Sequence, residues 1–190
     1  MLEKKGAKRE LNPELEKLLS DKSQPPSEYI DKITDKIYLG GIDGANEINY
    51  LKQEGITNIL SLIGDESPDY EKGLFDRLIF NADDITREDL FRFFKDSIEF
   101  IENSDKIYIH CSAGMSRSAS IVIAYLMWKE HIKFKEAYDF VKEKRHSIDP
   151  NGGFIMQLKY FESLLNENNY DLRKINFKKL DFRELWKKFG

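Results

Sequence analysis

The spacing of apolar and polar residues predicts a regular alternation of strands and helices from residue 33 onward. Alternation over residues 33–39, closed by Gly40 and Gly41, predicts a half-buried strand. Apolar-rich runs predict three more strands, at residues 56–63, 75–80 and 106–109. Apolar residues at helical spacing predict helices over residues 44–54, 87–102, 118–131, 134–145 and 153–166. Strands that alternate with helices predict an α/β fold around a central, mostly parallel sheet.

The two ends of the chain differ in composition from this central part. Residues 1–30 are rich in charge and contain Pro25-Pro26, and residues 12–19 within them predict a short helix capped by Asn12. The leucines of that helix either dock on the domain or belong to a solvated arm. We therefore divide the chain into a charged N-terminal arm (1–30), a folded domain (31–168) and a C-terminal extension (169–190).

The C-terminal extension is basic and amphipathic. Residues 171–190 contain seven basic and three acidic side chains, in a chain whose total net charge is −4. The large apolar residues recur at the spacing of one helix face, at Phe182, Leu185, Trp186 and Phe189. Such a helix can bind an acidic partner or an anionic membrane. Alternatively, its apolar face packs on its own domain. We favour packing on the domain, with membrane contact as the alternative.

Composition and charge narrow the class of protein. With 190 residues, of which 41% are hydrophobic and 34% charged, the chain suits one globular domain. A net charge of −4 gives no reason to expect nucleic-acid binding. Because no apolar run is long enough for a membrane helix and no apolar signal region follows Met1, we expect an intracellular protein. The expected location is the cytoplasm, with the nucleus as a further compartment.

The single cysteine, Cys111, excludes an internal disulfide and a thiolate zinc site. It is either a small buried apolar residue or a reactive thiol, and its neighbours favour the thiol. A predicted strand delivers Cys111, five residues follow, and Arg117 opens a helix, while Gly114 allows the loop backbone angles closed to other residues. A turn of this kind points backbone N–H groups inward, and the helix adds its positive dipole end. The segment therefore predicts an anion site.

The same segment suits phosphoryl transfer. The helix start and the arginine favour the thiolate form of Cys111, which is then a nucleophile beneath a bound phosphorus atom. Arg117 can bind two phosphate oxygens at once through its planar guanidinium group. Phosphoryl transfer needs charge stabilisation and an in-line nucleophile, and this loop supplies both without a metal ion or another cofactor.

A family resemblance rests on one continuous segment, His110-Cys111-Ser112-Ala113-Gly114-Met115-Ser116-Arg117-Ser118. This segment resembles the signature of dual-specificity phosphatases in the protein tyrosine phosphatase superfamily. The resemblance extends from about residue 33 to about residue 162 and includes Ile37-Tyr38-Leu39-Gly40, residues 55–60 and Pro150-Asn151. His146 departs from the family pattern, because proline commonly follows the arginine there. The resemblance implies a three-layer α/β/α fold and a dual-specificity phosphatase domain over residues 31–168.

The resemblance also implies a role for each matching residue. Cys111 is the nucleophile, Arg117 binds the phosphate, and Ser118 matches a hydroxyl that helps the cysteine leave when the intermediate breaks down. The phosphate cradle consists of the backbone N–H groups of Ser112, Ala113, Gly114, Met115, Ser116 and Arg117. Asn151 matches a residue that braces the loop, and His110 orients the loop and helps to keep Cys111 ionised.

A general acid is needed to protonate the leaving oxygen. The candidates are Asp83 and Asp84, in the loop between the third predicted strand and the helix predicted from residue 87. Taken on its own, either aspartate is typical of an ordinary polar turn. When the segment is aligned by the apolar residues that follow it, Asp84 falls on the acid position of the family, with Asp83 as the alternative.

The substrate class follows from the loop composition and from the same resemblance. Relatives that act on phosphoinositides typically carry a lysine inside the loop, whereas Ala113-Gly114-Met115-Ser116 adds no cation. We therefore expect phosphoprotein substrates, protein kinases among them, with phosphotyrosine and phosphoserine or phosphothreonine both hydrolysed. The alternatives are a phosphatase for a non-protein phosphoester and a phosphate-dependent binding module that has lost turnover. The oligomeric state has no signature in the sequence.

Overall fold

A computed structural model describes residues 28–178 and 180–190 of the chain. Within this part, five strands form one sheet in the order β1-β2-β5-β3-β4. The strands are β1 (Ile30–Lys32), β2 (Ile37–Gly40), β3 (Asn58–Ser61), β4 (Asp76–Ile79) and β5 (Ile107–His110). β2, β5, β3 and β4 run parallel to one another, and β1 pairs antiparallel with β2. The predicted helix at residues 12–19 lies outside the described residues.

Helices cover both faces of the sheet. They are α1 (Ile42–Ala45), α2 (Ile48–Gln53), α3 (Phe94–Asn103), α4 (Arg117–Glu130), α5 (Phe134–Lys144), α6 (Gly152–Glu167) and α7 (Phe182–Phe189). Because side chains alternate along a strand, Ile107 and Ile109 of β5 enter the main core with α3 to α6. Tyr108, between them, enters a second core with Leu51 of α2. These three layers confirm the predicted α/β/α fold with a mostly parallel sheet.

α4 is the central helix of the main core. Every residue from Ser118 to Met127 is buried, because the helix lies between the sheet and its neighbours α3, α5 and α6. Its sequence is accordingly apolar on several sides rather than along one stripe. Since α4 begins at Arg117, this packing fixes the end of the helix that follows Cys111.

No helix in the described ranges is long and apolar enough to cross a membrane.

The strand predicted over residues 33–39 is wrong in its first half. The structure has a turn between β1 and β2 there, in which Ile33 N–H donates to the Ile37 carbonyl at 2.8 Å. The Thr34 hydroxyl accepts hydrogen bonds from the N–H groups of Lys36 and Ile37, at 3.2 and 3.0 Å. A threonine side chain that bonds its own backbone in this way closes a turn. The alternating pattern therefore spans a hairpin rather than one strand.

Two predicted helices are shorter or broken. The helix predicted over residues 44–54 divides into α1 and α2, with Asn46 ending α1 and donating from its side chain to the Ile42 carbonyl at 3.0 Å. The helix predicted over residues 87–102 begins later, with a 3-10 turn at Phe91–Phe93 and α3 from Phe94. The residues before Phe91 are held in a non-helical path by side chains from elsewhere in the chain.

The C-terminal helix α7 packs against α6. Leu185 is buried, and the ring of Phe189 lies 6.0 Å from the ring of Tyr160 on α6. The Asp181 carboxylate caps the helix by accepting a hydrogen bond from Arg183 N–H at 2.9 Å. Trp186 remains about half exposed, at 49%. The amphipathic face therefore lies on its own domain, which is the arrangement that we favour from the sequence.

Candidate active site

Cys111 lies at the carboxyl end of the central strand β5. In open α/β sheets this edge is where ligands bind, because the loops that leave parallel strands converge there. β2 and β3 flank β5, and the Ser61 end of β3 and the Gly40 end of β2 lie level with His110. The loop between β5 and α4 is thus enclosed by the ends of two neighbouring strands.

The carbonyl groups of this loop, residues 112–116, all bond to groups outside it. The Ser112 carbonyl accepts from Ile42 N–H at 3.0 Å, and the Met115 carbonyl from Asp149 N–H at 2.9 Å. Arg145 donates to the carbonyls of Ala113 and Gly114, at 3.2 and 2.9 Å. With the carbonyls engaged from outside, the N–H groups remain available to bind an anion. Among the described residues, none of the five N–H groups has a hydrogen-bond acceptor.

Gly114 allows the loop to lie directly on the end of β2. Its φ of +69° is a left-handed conformation that side-chain-bearing residues rarely adopt. A Cβ atom at this position would lie 2.2 Å from the backbone carbon of Gly40, a distance that no side chain can occupy. The glycine inside the motif is therefore required by both its conformation and its packing.

The Cys111 thiol is buried beneath the loop and contacts one hydroxyl group. Its Sγ lies 3.2 Å from the Oγ of Ser118, in the first turn of α4. Cys111 is 1% exposed and Ser118 is fully buried, so both side chains are shielded from bulk solvent. A hydroxyl group in this position can donate to a thiolate and stabilise its negative charge.

The guanidinium group of Arg117 is held beside the loop by three acceptors. One terminal nitrogen donates to the carbonyls of Leu62 and Ala82, at 3.3 and 2.9 Å, and the other donates to the Ser112 hydroxyl at 2.9 Å. Nε lies 3.8 Å from the Asp84 carboxylate. The planar group is thus oriented before any ligand binds, which lowers the entropic cost of gripping a phosphate.

Asp84, rather than Asp83, reaches the phosphate loop. Its Oδ1 accepts hydrogen bonds from the Ser116 hydroxyl at 2.7 Å and from the Asn151 side-chain amide at 2.8 Å. Asn151 also donates its backbone N–H to the Ser116 hydroxyl at 3.2 Å, and its Oδ1 caps α6 at Phe154 N–H. Ser116, Asn151 and Asp84 therefore form one hydrogen-bonded group that links the candidate acid to the loop.

His110 is buried behind the loop as a neutral ring. It is 0% exposed, it stacks on Tyr108 with ring centroids 5.6 Å apart, and its Nδ1 lies 3.4 Å from the Cys111 carbonyl. Burial lowers the pKa of His110 to about 4. At neutral pH the ring carries no positive charge, so any help that it gives to an ionised Cys111 comes from position rather than charge.

This pKa shift predicts a pH-dependent stability. Well above pH 6.5, the usual pKa of histidine, both the folded and the unfolded protein have a neutral His110. As pH falls from 6.5 to about 4, only the unfolded state gains the proton, so the free energy of unfolding should fall by roughly 3 kcal/mol, and no further below that range. Urea denaturation at a series of pH values measures this loss. The His110→Gln variant should lack this component, and parallel curves for the two proteins would contradict the assignment.

Arg145 is a site residue that the sequence did not reveal. It follows α5 and donates to two loop carbonyls, while its other terminal nitrogen pairs with the Asp31 carboxylate at 2.6 Å. The side chain is 11% exposed. Its partners lie more than 30 residues away in the chain, so no local pattern marks it.

Comparison with known proteins fits this geometry. The sequence model of the family described as "Dual specificity phosphatase, catalytic domain" matches residues 37–164, about two thirds of the chain. The chain belongs to the dual-specificity phosphatase family. The match begins at β2 and ends within α6, so it includes Cys111, Arg117, Asp84 and Asn151.

Relatives and solved structures agree with the family. The chain is 41% identical over 140 residues to "MAP kinase phosphatase with leucine-rich repeats protein 1" of Dictyostelium discoideum. The aligned region covers 72% of this chain and 16% of that protein. It is 40% identical over 131 residues to "Protein-tyrosine-phosphatase MKP1" of Arabidopsis thaliana, covering 67% of this chain and 17% of that protein. The chain thus aligns with about a sixth of the length of these relatives.

A solved structure shares the fold over most of its length. The human "tyrosine phosphatase-like serine/threonine/tyrosine-interacting protein" superposes with a TM-score of 0.68 at 32% identity, over 72% of this chain and 97% of that chain. Residues beyond position 164, including α7, lie outside the family match. In residues 28–178 and 180–190, no three His, Cys, Asp or Glu side chains cluster closely enough to hold a metal ion.

Proposed function

We propose that this dual-specificity phosphatase domain hydrolyses phosphotyrosine and phosphoserine or phosphothreonine in proteins, without a metal ion, through a phosphate ester of the Cys111 thiol. The observation that supports the proposal is the loop of residues 112–116, whose carbonyls bond outward and whose N–H groups have no hydrogen-bond acceptor among the described residues. Backbone N–H groups that converge at a helix start bind phosphate oxygens. Cys111, the proposed nucleophile, directly precedes the loop at the end of β5.

In the first step the Cys111 thiolate attacks phosphorus while the bond from phosphorus to the substrate oxygen breaks. The loop N–H groups and the Arg117 guanidinium neutralise charge on the three equatorial oxygens. Asp84 donates its proton to the departing oxygen, so the product leaves as a neutral alcohol or phenol.

In the second step water attacks the phosphorus of the cysteinyl-phosphate and the bond from sulfur to phosphorus breaks. Asp84, now ionised, accepts the proton from the water, and inorganic phosphate is released. The Ser118 hydroxyl, 3.2 Å from Sγ, can donate a hydrogen bond to the departing thiolate. Asn151 and Ser116 keep the Asp84 carboxylate beside the loop through both steps.

The substrate class is supported by the loop and by the relatives. The exposed loop side chains are Ser112, Ala113 and Met115, none of which adds a cation for a second phosphate. Two relatives carry names that describe a MAP kinase phosphatase and a protein-tyrosine phosphatase. We therefore infer phosphoprotein substrates, with protein kinases among them.

A second candidate function is phosphate-dependent binding without turnover. The solved structure with a TM-score of 0.68 is named as a tyrosine phosphatase-like interacting protein, which favours this candidate. The presence of Cys111, Arg117 and Asp84 together favours turnover. Hydrolysis of a simple aryl phosphate near pH 6, with a chelator present, separates the two candidates, because a binding module releases no phosphate.

The general acid gives a sharper test. We expect Asp84→Asn to lower kcat for a phosphothreonine peptide by about 10²–10⁴-fold, because the leaving alkoxide then has no proton donor. Asp83→Asn is the matched control, one residue away with no contact to the loop among the described residues, and should leave kcat nearly unchanged. A loss in Asp83→Asn with full activity in Asp84→Asn would reassign the acid.

A further inference from the structure

The loop that carries Asp84 is anchored at its two ends and, between them, by the hydrogen bonds that the Asp84 carboxylate accepts from Ser116 and Asn151. Residues 83–87 are all exposed, and Ile85 exposes 55% of its surface, so the middle of the loop makes little contact with the core. At the first end, Ala82 is buried and its carbonyl accepts from Arg117. The backbone at Asp84 therefore depends also on what holds the second end of the loop, residues 88–91.

Helix α6 supplies one anchor of that second end. Gln157, which is fully buried, accepts a hydrogen bond from Phe91 N–H at 2.8 Å and donates to the Glu88 carbonyl at 2.7 Å. Gly153, at the start of α6, approaches the loop so closely that a Cβ there would lie 1.9 Å from the Thr86 carbonyl oxygen. Both residues lie within the family match.

The C-terminal extension supplies a second anchor. The Asp89 carboxylate is nearly buried, at 6% exposed, and its Oδ2 accepts from Leu180 N–H at 3.0 Å. Its Oδ1 accepts from Arg92 N–H at 3.3 Å, so the carboxylate joins the acid loop to the extension. The Phe177 ring stacks on Phe91, with centroids 5.0 Å apart and an angle of 25° between the ring planes.

We propose that the C-terminal extension positions the general acid: Phe177 and the Asp89–Leu180 hydrogen bond hold the second end of the Asp84 loop. This inference rests on the proposed function, in which Asp84 is the proton donor. Because residues 177 and 180 lie beyond the family match, the extension adds this brace to the catalytic domain. Phe177 and Asp89 are positioning residues that act through Asp84 and do not touch the substrate phosphate.

The proposal predicts an effect that depends on the leaving group. An aryl phosphate with an acidic phenol expels its leaving group with little help from a proton donor, whereas the alkoxide of threonine needs one. A loosened acid loop should therefore slow phosphothreonine hydrolysis much more than aryl phosphate hydrolysis. The extension would thereby set how well this phosphatase acts on serine and threonine substrates.

Two variants and one matched control test this prediction. Phe177→Ala removes the stacked ring, and Asp89→Asn keeps the size of the side chain but leaves one oxygen to accept from two N–H groups. We expect each to lower kcat/KM for a phosphothreonine peptide by about tenfold, and to change aryl phosphate hydrolysis far less. Phe100→Ala, which truncates a half-buried phenylalanine of α3 that lies outside residues 82–91, should leave the ratio of kcat/KM for the two substrates unchanged.

A double-variant measurement separates positioning from general loss of stability. If Phe177 acts through Asp84, Phe177→Ala should cause no further loss of phosphothreonine turnover in the Asp84→Asn background. The inference is overturned if Phe177→Ala and Asp89→Asn slow the hydrolysis of both substrates equally. It is also overturned if Phe177→Ala still lowers phosphothreonine turnover in the Asp84→Asn background. Failure of the proposed function is a different result: the unaltered protein would then show no turnover that requires Cys111.

Discussion

Replacing Cys111 by serine is expected to reduce kcat for an aryl phosphate by on the order of 10⁶-fold, as removal of the nucleophile does in other enzymes with covalent intermediates. A serine hydroxyl is not ionised near neutral pH, so it cannot attack phosphorus as the thiolate does. The substitution changes one atom in a buried position beside Ser118, so the loop should remain intact. Initial-rate assays near pH 6 measure the effect.

Binding provides the control for this variant. Because the loop N–H groups and Arg117 are unaltered, Cys111→Ser should still bind a phosphopeptide, with a Kd measurable by calorimetry. Equal turnover by the two proteins would mean that the thiol is not the nucleophile. Loss of both turnover and binding would indicate a collapsed loop rather than a missing nucleophile.

The second large effect is expected for Arg117→Lys, which should lower kcat by about 10³–10⁵-fold, the range found when an arginine that stabilises a phosphoryl transition state is lost. Lysine keeps the positive charge but lacks the planar fork that can bind two phosphate oxygens. It also leaves the carbonyls of Leu62 and Ala82 without the donors that they have now. Steady-state kinetics with the aryl phosphate measure the loss.

Arg77→Lys is the matched control for this substitution. Arg77, on β4, donates to the Pro68 carbonyl and lies apart from the phosphate loop in the sheet order. We expect its kcat to equal that of the unaltered protein. If Arg117→Lys lost no more activity than Arg77→Lys, the guanidinium fork would have no part in transition-state stabilisation.

The phosphate loop could be predicted from the sequence because its chemistry is contiguous. Cys111, Gly114 and Arg117 lie within seven residues, between a strand and a helix whose patterns are both clear. The fold was predictable for a related reason, since the α/β alternation survives small errors in the limits of each element. The turn at Thr34 was missed because one hydroxyl group, rather than the apolar pattern, decides that the chain reverses there.

The supports of the site could not be predicted, because they come from distant parts of the chain. Arg145 binds loop carbonyls 31 and 32 residues away and an aspartate 114 residues away. Gln157 meets the acid loop across more than 60 residues and keeps residues 88–91 out of the predicted helix. The contact of Leu180 with Asp89 spans 91 residues. Tertiary contacts of this kind override local helix propensity and leave no periodic signal.

The most direct test of the account is to trap the phosphorylated enzyme. Mixing Ser118→Ala with an aryl phosphate and quenching in acid should preserve the intermediate, because this variant lacks the hydroxyl that stabilises the departing thiolate. Peptide mass spectrometry should then find one phosphoryl group, attached to Cys111. A phosphoryl group on any other residue, or turnover with no phosphorylated enzyme at any time, would contradict the mechanism.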